Sequence, residues 1–325
     1  MNEAMLTAEA ITVLGQWTGG WQVERLLKYR ENAVFAVSDA TGQRAVLRLH
    51  RPGYHNAAAL HSELFWMSAL VAQGFPAPSP IRAANGAMIV AYGTGASGFA
   101  DMMSWVPGRP VVEIDDLPTL TRIYATLGDM LGRMHRDAAY WTPPADFFRP
   151  AWDHDALLGE TPLWGNFRAF PGLHGAGREI VLHAAERASE ALRALSTGPA
   201  HYGLIHADAL ADNVIFDEHA GVTLIDFDDC GPGWFLFDIV TCLYFHTPED
   251  RLPVLERAFL SAYRHHFHFD TTDRDHLPLF MFLRALTYVG WVQSRPETET
   301  ARELGDAFAR RAEELARAYL VHRTV

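Results

Sequence analysis

The sequence predicts an α+β protein of two lobes, a small strand-rich one followed by a larger, mainly helical one. Three observations carry this. Between Trp21 and Leu49 apolar residues alternate with a period of two, the pattern of half-buried strands. Beyond Leu117 they recur mostly at helical spacing, over Leu117–Ala139, Arg178–Leu195, Leu252–His265 and Leu277–Gln293. Between the two regimes Pro107-Gly108 breaks the chain. The expected boundaries are 1–104 for the strand-rich lobe and 105–325 for the helical one.

Taken in order, a short helical start leads into VFAVSD (Val34–Asp39), a turn at Thr41-Gly42, and RAVLRLH (Arg44–His50), a β-hairpin signature. Ala57–Gln73 has apolar residues at helical spacing and stops at Gly74, a helix C-cap signal, with Pro76 close behind. AMIVAYG (Ala87–Gly93) and FADMMSWV (Phe99–Val106) read as two further strands. The helical half holds one embedded hairpin, LIHADALADNVIF (Leu204–Phe216) followed by VTLIDFDDCG (Val222–Gly231). A turn over Asp217–Gly221 sets Phe216 near Thr223 and Asn213 opposite Asp226.

Composition narrows the function. The 325 residues are 49% hydrophobic, enough for a real core. A net charge of −12 argues against nucleic acid or an anionic membrane as partner. Cys230 and Cys242 lack both a disulfide framework and zinc spacing. The opening MNEAMLTAEA has no basic n-region, and no apolar run reaches the roughly 18 residues of a membrane span. The expectation is a cytoplasmic protein.

The chemistry concentrates at the embedded hairpin. Burying carboxylates side by side is costly unless a cation or a reaction uses them. One amide oxygen from Asn213 and one carboxylate from Asp226 make a partial shell for Mg²⁺, which commonly takes only one or two protein oxygens. Asp208, in the loop just before, can accept or orient a hydroxyl proton.

His206-x-Asp208-x4-Asn213 and Ile225-Asp226-Phe227-Asp228 resemble the catalytic and metal-binding segments of the protein-kinase-like fold, and more closely those of the aminoglycoside phosphotransferase and choline kinase family. LGDMLGRMH (Leu127–His135), the WVPG linker (Trp105–Gly108) and Asp238 in FLFDIVT fit the same family. HRPGYH (His50–His55) and RALTYVGWVQSR (Arg284–Arg295) look like its branch of stress-response kinase A and type II homoserine kinases. The resemblance implies an ATP- and Mg²⁺-dependent phosphotransferase acting on a hydroxyl of a small molecule or of a protein Ser/Thr. Asp208 would be the base, His206 an orienting residue, and Asn213 and Asp226 the Mg²⁺ ligands. Glu63 matches the helix glutamate that pairs with a strand cation, here Arg48 where the family often has Lys. No G-x-G-x-x-G occurs; YRENAVF (Tyr29–Phe35) occupies that turn, with backbone amides or Asn32 for the phosphates. Adenine would bond the carbonyl of Ser104 and the amide of Val106, with Met103 behind it.

Other readings use the same residues. A metal-dependent phosphoesterase would take His206, Asp208, Asp226 and Asp228 as ligands, and a pseudokinase would bind nucleotide without turnover. Asp228 and Asp229 divide between metal assistance and turn capping. Asp238 reads as a buried loop organiser, Tyr288 and Trp291 as core rather than substrate cage, and His265-His266-Phe267-His268 as solvent-facing.

Overall fold

The period-two pattern after Trp21 becomes a five-stranded antiparallel sheet, and the helical spacing beyond Leu117 becomes helices, so the chain is α+β as expected. The computed structural model describes residues 3–29, 32–93, 98–246 and 250–322. Arg30 and Glu31, in the turn read as covering the phosphates, lie outside these. In chain order the elements are α1 (Glu3–Leu14), β1 (Gln22–Tyr29), β2 (Asn32–Ser38), β3 (Arg44–His50), α2 (Ala57–Ala72), β4 (Val90–Tyr92), β5 (Gly98–Ser104) and β6 (Arg109–Pro110). Then come α3 (Leu117–Tyr140), α4 (His154–Leu158), α5 (Gly175–Ala194), β7 (Tyr202–Ile205), β8 (Val214–Asp217), β9 (Gly221–Leu224) and β10 (Gly231–Trp234). Last are α6 (Phe235–Leu243), α7 (Leu252–Tyr263), α8 (Thr271–Ser294) and α9 (Glu299–His322). Two compact units result: Met1–Glu113 with Thr142–Arg149 and Asp212–Asp228, and Ile114–Trp141 with Pro150–Ala211 and Asp229–Val325.

In the first unit the sheet runs β1-β2-β3-β5-β4. The β2–β3 turn closes because the Asp39 carboxylate accepts from the amides of Thr41 and Gln43, while Gly42 takes a φ of +86° that other residues resist. Strand alternation then sorts the two faces. Phe35, Leu47, Leu49 and Met102 join Leu6, Ala10 and Val13 of α1 in a closed apolar layer. Full burial of a side chain such as Phe35 or Leu47 contributes about 1.5–3 kcal/mol. The opposite face carries Val34, Arg48 and Asp101 in one row across β2, β3 and β5. Helix α2 lies on that side, started by the Asn56 side chain accepting from the Ala59 amide and ended before Gly74 at φ +80°.

The hairpin β8–β9 forms one residue out of the expected register. Phe216 pairs with Val222, not Thr223, and the Asn213 carbonyl accepts from the Ile225 amide, so Ile225 rather than Asp226 lies opposite Asn213. The cause is Asp217, which ends β8 by accepting from the His219 and Ala220 amides and shortens the turn. The hairpin also groups with the strand-rich unit, not with the helical half as its place in the chain suggested. Strand β6 pairs with it, Leu224 donates to the Pro76 carbonyl, and Phe227 packs edge-on against Trp66. Gly108 makes the β6 contact possible: a Cβ there would collide with the Phe216 carbonyl.

The second unit holds the long helices. α3 and α7 approach closely at Gly128, where a Cβ would meet the Phe259 carbonyl. Helix α8 packs on α6 and α9 around Phe237, Phe280 and Phe282. Sequence periodicity did not reveal α4, α6, α9 or the antiparallel β7–β10 pair, and the strand expected over Ala87–Gly93 shrinks to β4. Among the described residues no helix is long and apolar enough to cross a membrane.

Candidate active site

The polar face of the first unit's sheet is organised by Arg48. Its Nε and Nη2 donate to Oδ1 and Oδ2 of Asp101 at 2.9 and 2.8 Å, and its Nη1 lies 2.8 Å from Oε1 of Glu63. All three residues are buried. Burial disfavours the Arg48 charge, but Asp101 and Glu63 outweigh it and hold the group firmly ionised. Burial raises the Glu63 carboxyl, and Arg48 pulls it back only in part. His50 Nε2 donates to Asp101 Oδ2 at 2.5 Å. Pairing places Asn32 beside His50 and Met103 beside Val46, on this same face, and among the described residues the Asn32 side-chain oxygen is buried without a hydrogen-bond partner. Ser104 ends β5, its hydroxyl accepting from the Ser79 amide, and Val106 follows in the partly exposed linker.

At the open end of the hairpin, Asn213 is buried and Asp226 half-buried, the latter in the left-handed region at φ +66°. For a residue with a Cβ that conformation is costly and marks a backbone held by its surroundings. Two residues on, Asp228 turns away into a buried cluster. Its carboxylate lies 3.6 Å from His55 Nε2 and 3.8 Å from His50 Nδ1, and its carbonyl accepts from Arg149. Burial pushes Asp228 up, yet His55, His50 and Arg48 hold it well below the usual carboxylate range.

The second unit holds His206 and Asp208. Asp238 Oδ2 accepts from the His206 amide at 2.7 Å and Oδ1 from the Ala207 amide at 2.6 Å, the organising role read from the sequence. It thereby supports Ala207 at φ +67°. His135 Nε2, 3.1 Å away, braces Asp238 and is itself tied to the Tyr263 hydroxyl. His206 is fully buried, its Nδ1 accepting from the Asp208 amide at 3.2 Å. Asp208 is partly exposed and its Oδ1 accepts from Arg284 Nη2 at 2.6 Å. A guanidinium on that carboxylate is an adverse neighbour for a metal ligand, which weighs against the phosphoesterase ligand set. Asp229 accepts from Trp164 Nε1 at 3.0 Å. Tyr288 is buried among Trp164, Tyr244, Phe245 and Phe308, as core. Of the tract read as solvent-facing, His265 and His268 are exposed, but His266 is half-buried with Nε2 2.6 Å from Asp129 Oδ1, and Phe267 packs edge-on against Phe235 and Tyr263.

Asp101, Arg149 and Arg284 were not singled out from the sequence as site residues. The signal for Asp101 was a charge in mid-strand among apolar residues, and for Arg284 a charge inside an apolar helix; each demands a buried partner.

A solved structure of a microcompartment-associated aminopropanol kinase is 29% identical with a TM-score of 0.85, covering 96% of this chain and 97% of that one. A homoserine kinase of Acidiphilium cryptum is 28% identical over 252 residues, 74% of this chain and 71% of that protein. An amicoumacin kinase of Bacillus subtilis is 28% identical over 223 residues, 68% of this chain and 62% of that protein. The model of the Phosphotransferase enzyme family matches residues 22–280, and the chain belongs to that family.

Proposed function

We propose that the chain is a kinase that moves the γ-phosphate of ATP, with Mg²⁺, to the hydroxyl of a small amine-bearing alcohol. The observation that carries the reading is the contrast between the carboxylates: Asp208 is held by a buried cation, whereas Asp226 stands at the strand end beside the Asn213–Ile225 bond. The likeness to an aminopropanol kinase over nearly the whole chain, and to a homoserine kinase, supports the acceptor class.

The donor set suits the ion. Asn213 and Asp226 offer an amide oxygen and a carboxylate, hard donors of the kind Mg²⁺ accepts alongside water and phosphate oxygens. When bound, Mg²⁺ neutralises the charge of the phosphates. Arg48 donates to Asp101 through two of its five N–H groups and pairs with Glu63 by charge at 2.8 Å, and its other donors serve the nucleotide phosphates. Asn32, Met103, Ser104 and Val106 form the rest of the nucleotide side, with the orphaned Asn32 oxygen as an acceptor for a ligand donor. Asp208 accepts the hydrogen bond of the attacking hydroxyl, orients it and takes its proton, while His206 fixes the loop through the Asp208 amide. Phosphoryl transfer asks mainly for positioning and charge stabilisation, which these groups supply.

The test separates the carboxylates by role. MgATP at about 100 times its Kd stabilises the native state by about 2.7 kcal/mol, readable as a thermal shift. Asp208→Asn keeps this shift and loses transfer to aminopropanol and homoserine, while Asp226→Ala loses most of the shift, as does the wild type when EDTA replaces Mg²⁺. A full shift and intact transfer in both variants would refute the assignment. MgATP binding by wild type without turnover on any alcohol would favour the pseudokinase.

A further inference from the structure

Arg284 lies on α8, fully buried; the reading above takes it only as the cation beside Asp208 and gives it no part in the transfer. A buried guanidinium is expensive unless its donors are spoken for. Here two of the bonds converge on one short piece of loop, while Nε is buried without a hydrogen-bond partner among the described residues. Nη1 donates to the carbonyl of Ala207 at 3.0 Å, and Nη2 to Asp208 Oδ1 at 2.6 Å and to the Tyr288 hydroxyl, one helical turn on, at 3.0 Å. The rings of Trp164, Tyr288 and Phe237 stand 4.8, 4.6 and 5.4 Å from its central carbon. Such faces attract a cation and leave it little room to turn.

We propose that Arg284 is the positioning residue of the acceptor site, a rigid fork that locks the Asp208 carboxylate and the left-handed Ala207 carbonyl in one fixed relation. This rests on the kinase reading, in which Asp208 serves the acceptor hydroxyl. A planar guanidinium that holds two consecutive residues sets the rotation of the Asp208 side chain, which a single point charge does not. The aromatic enclosure carries a cation of the protein's own, so the amine of the acceptor is recognised elsewhere than on these three rings.

The experiment compares wild type, Arg284→Lys, Arg284→Met, Asp208→Asn and the Asp208→Asn/Arg284→Met double variant. Phosphate transfer from MgATP is measured to aminopropanol, to homoserine and to water, together with the MgATP thermal shift of each protein. In Arg284→Met kcat falls by about tenfold or more, while KM for MgATP stays within about twofold and the thermal shift survives. Arg284→Lys recovers part of kcat. The double variant is no slower than Asp208→Asn alone, because Arg284 acts through that carboxylate. An equal proportional loss from Arg284→Met in both backgrounds overturns the proposal, as does an unchanged kcat. Should Arg284→Met fail to fold, Arg284→Lys decides: a lowered kcat with an intact MgATP shift supports the role, and a wild-type kcat removes it. A wild type that transfers phosphate to none of the three acceptors overturns the kinase reading itself, whereas an active wild type with an indifferent Arg284 overturns this inference alone.

Discussion

Arg48 and Asp101 face each other across β3 and β5 and share two parallel hydrogen bonds, 2.9 and 2.8 Å long, with both side chains out of water. The planar fork of arginine matches a carboxylate in a way that the point charge of lysine does not. With two such oxygens in the strand row and Glu63 on α2, the guanidinium engages both carboxylates at once.

Arg48→Ala strands two buried carboxylates without their cation. Breaking a buried pair by removing one partner costs about 3–5 kcal/mol. Urea denaturation should show a loss of that order, together with weakened MgATP binding. Arg48→Lys restores one charge without the fork and should fall between alanine and wild type. An alanine variant as stable as the parent would show that the network contributes nothing net.

Asp101 gives the network a pH signature. Burial pushes its carboxyl up, but Arg48 and His50 overcome this and hold it below its ordinary value of 3.8. A carboxylate with a lowered pKa in the folded state contributes stability that is present above the unfolded value and is lost as pH falls through the folded one. The gap in unfolding free energy between wild type and Asp101→Asn should therefore be widest above about pH 4 and narrow steadily below it. Denaturation at neutral pH, near pH 5 and near pH 3 measures the gap, and one that widens in acid contradicts the pairing.

Asp238→Asn removes a charge that accepts from the His206 and Ala207 amides and from His135. Hydrogen bonds to charged groups contribute about 1.5–3 kcal/mol each, and the asparagine has one acceptor oxygen where the carboxylate has two. The variant should lose stability on that scale and should also lose turnover, since the Ala207 turn that presents Asp208 relaxes. Unchanged denaturation and unchanged kcat would mean that the turn supports itself.

The sequence by itself determined what is local. Alternation over Val34–His50 specified a hairpin, Gly74 ended a helix, and His206, Asp208, Asn213 and Asp226 stood close enough along the chain for their spacing to be legible. The register of β8–β9 escaped by one residue, because the Asp217 carboxylate competes for the turn amides and periodicity does not see that. The tertiary structure alone decided which buried charges pair. Arg48 meets Asp101 across 53 residues of chain, Arg284 meets Asp208 across 76, and the Asp238 carboxylate finds the His206 backbone amide across 32. A mid-strand aspartate and a mid-helix arginine announce that each must have a partner, since an unpaired buried charge is too costly to keep. Which partner it finds depends on strand order and on how α8 packs against the loop, and those are set by the burial of the whole chain rather than by any neighbouring residue.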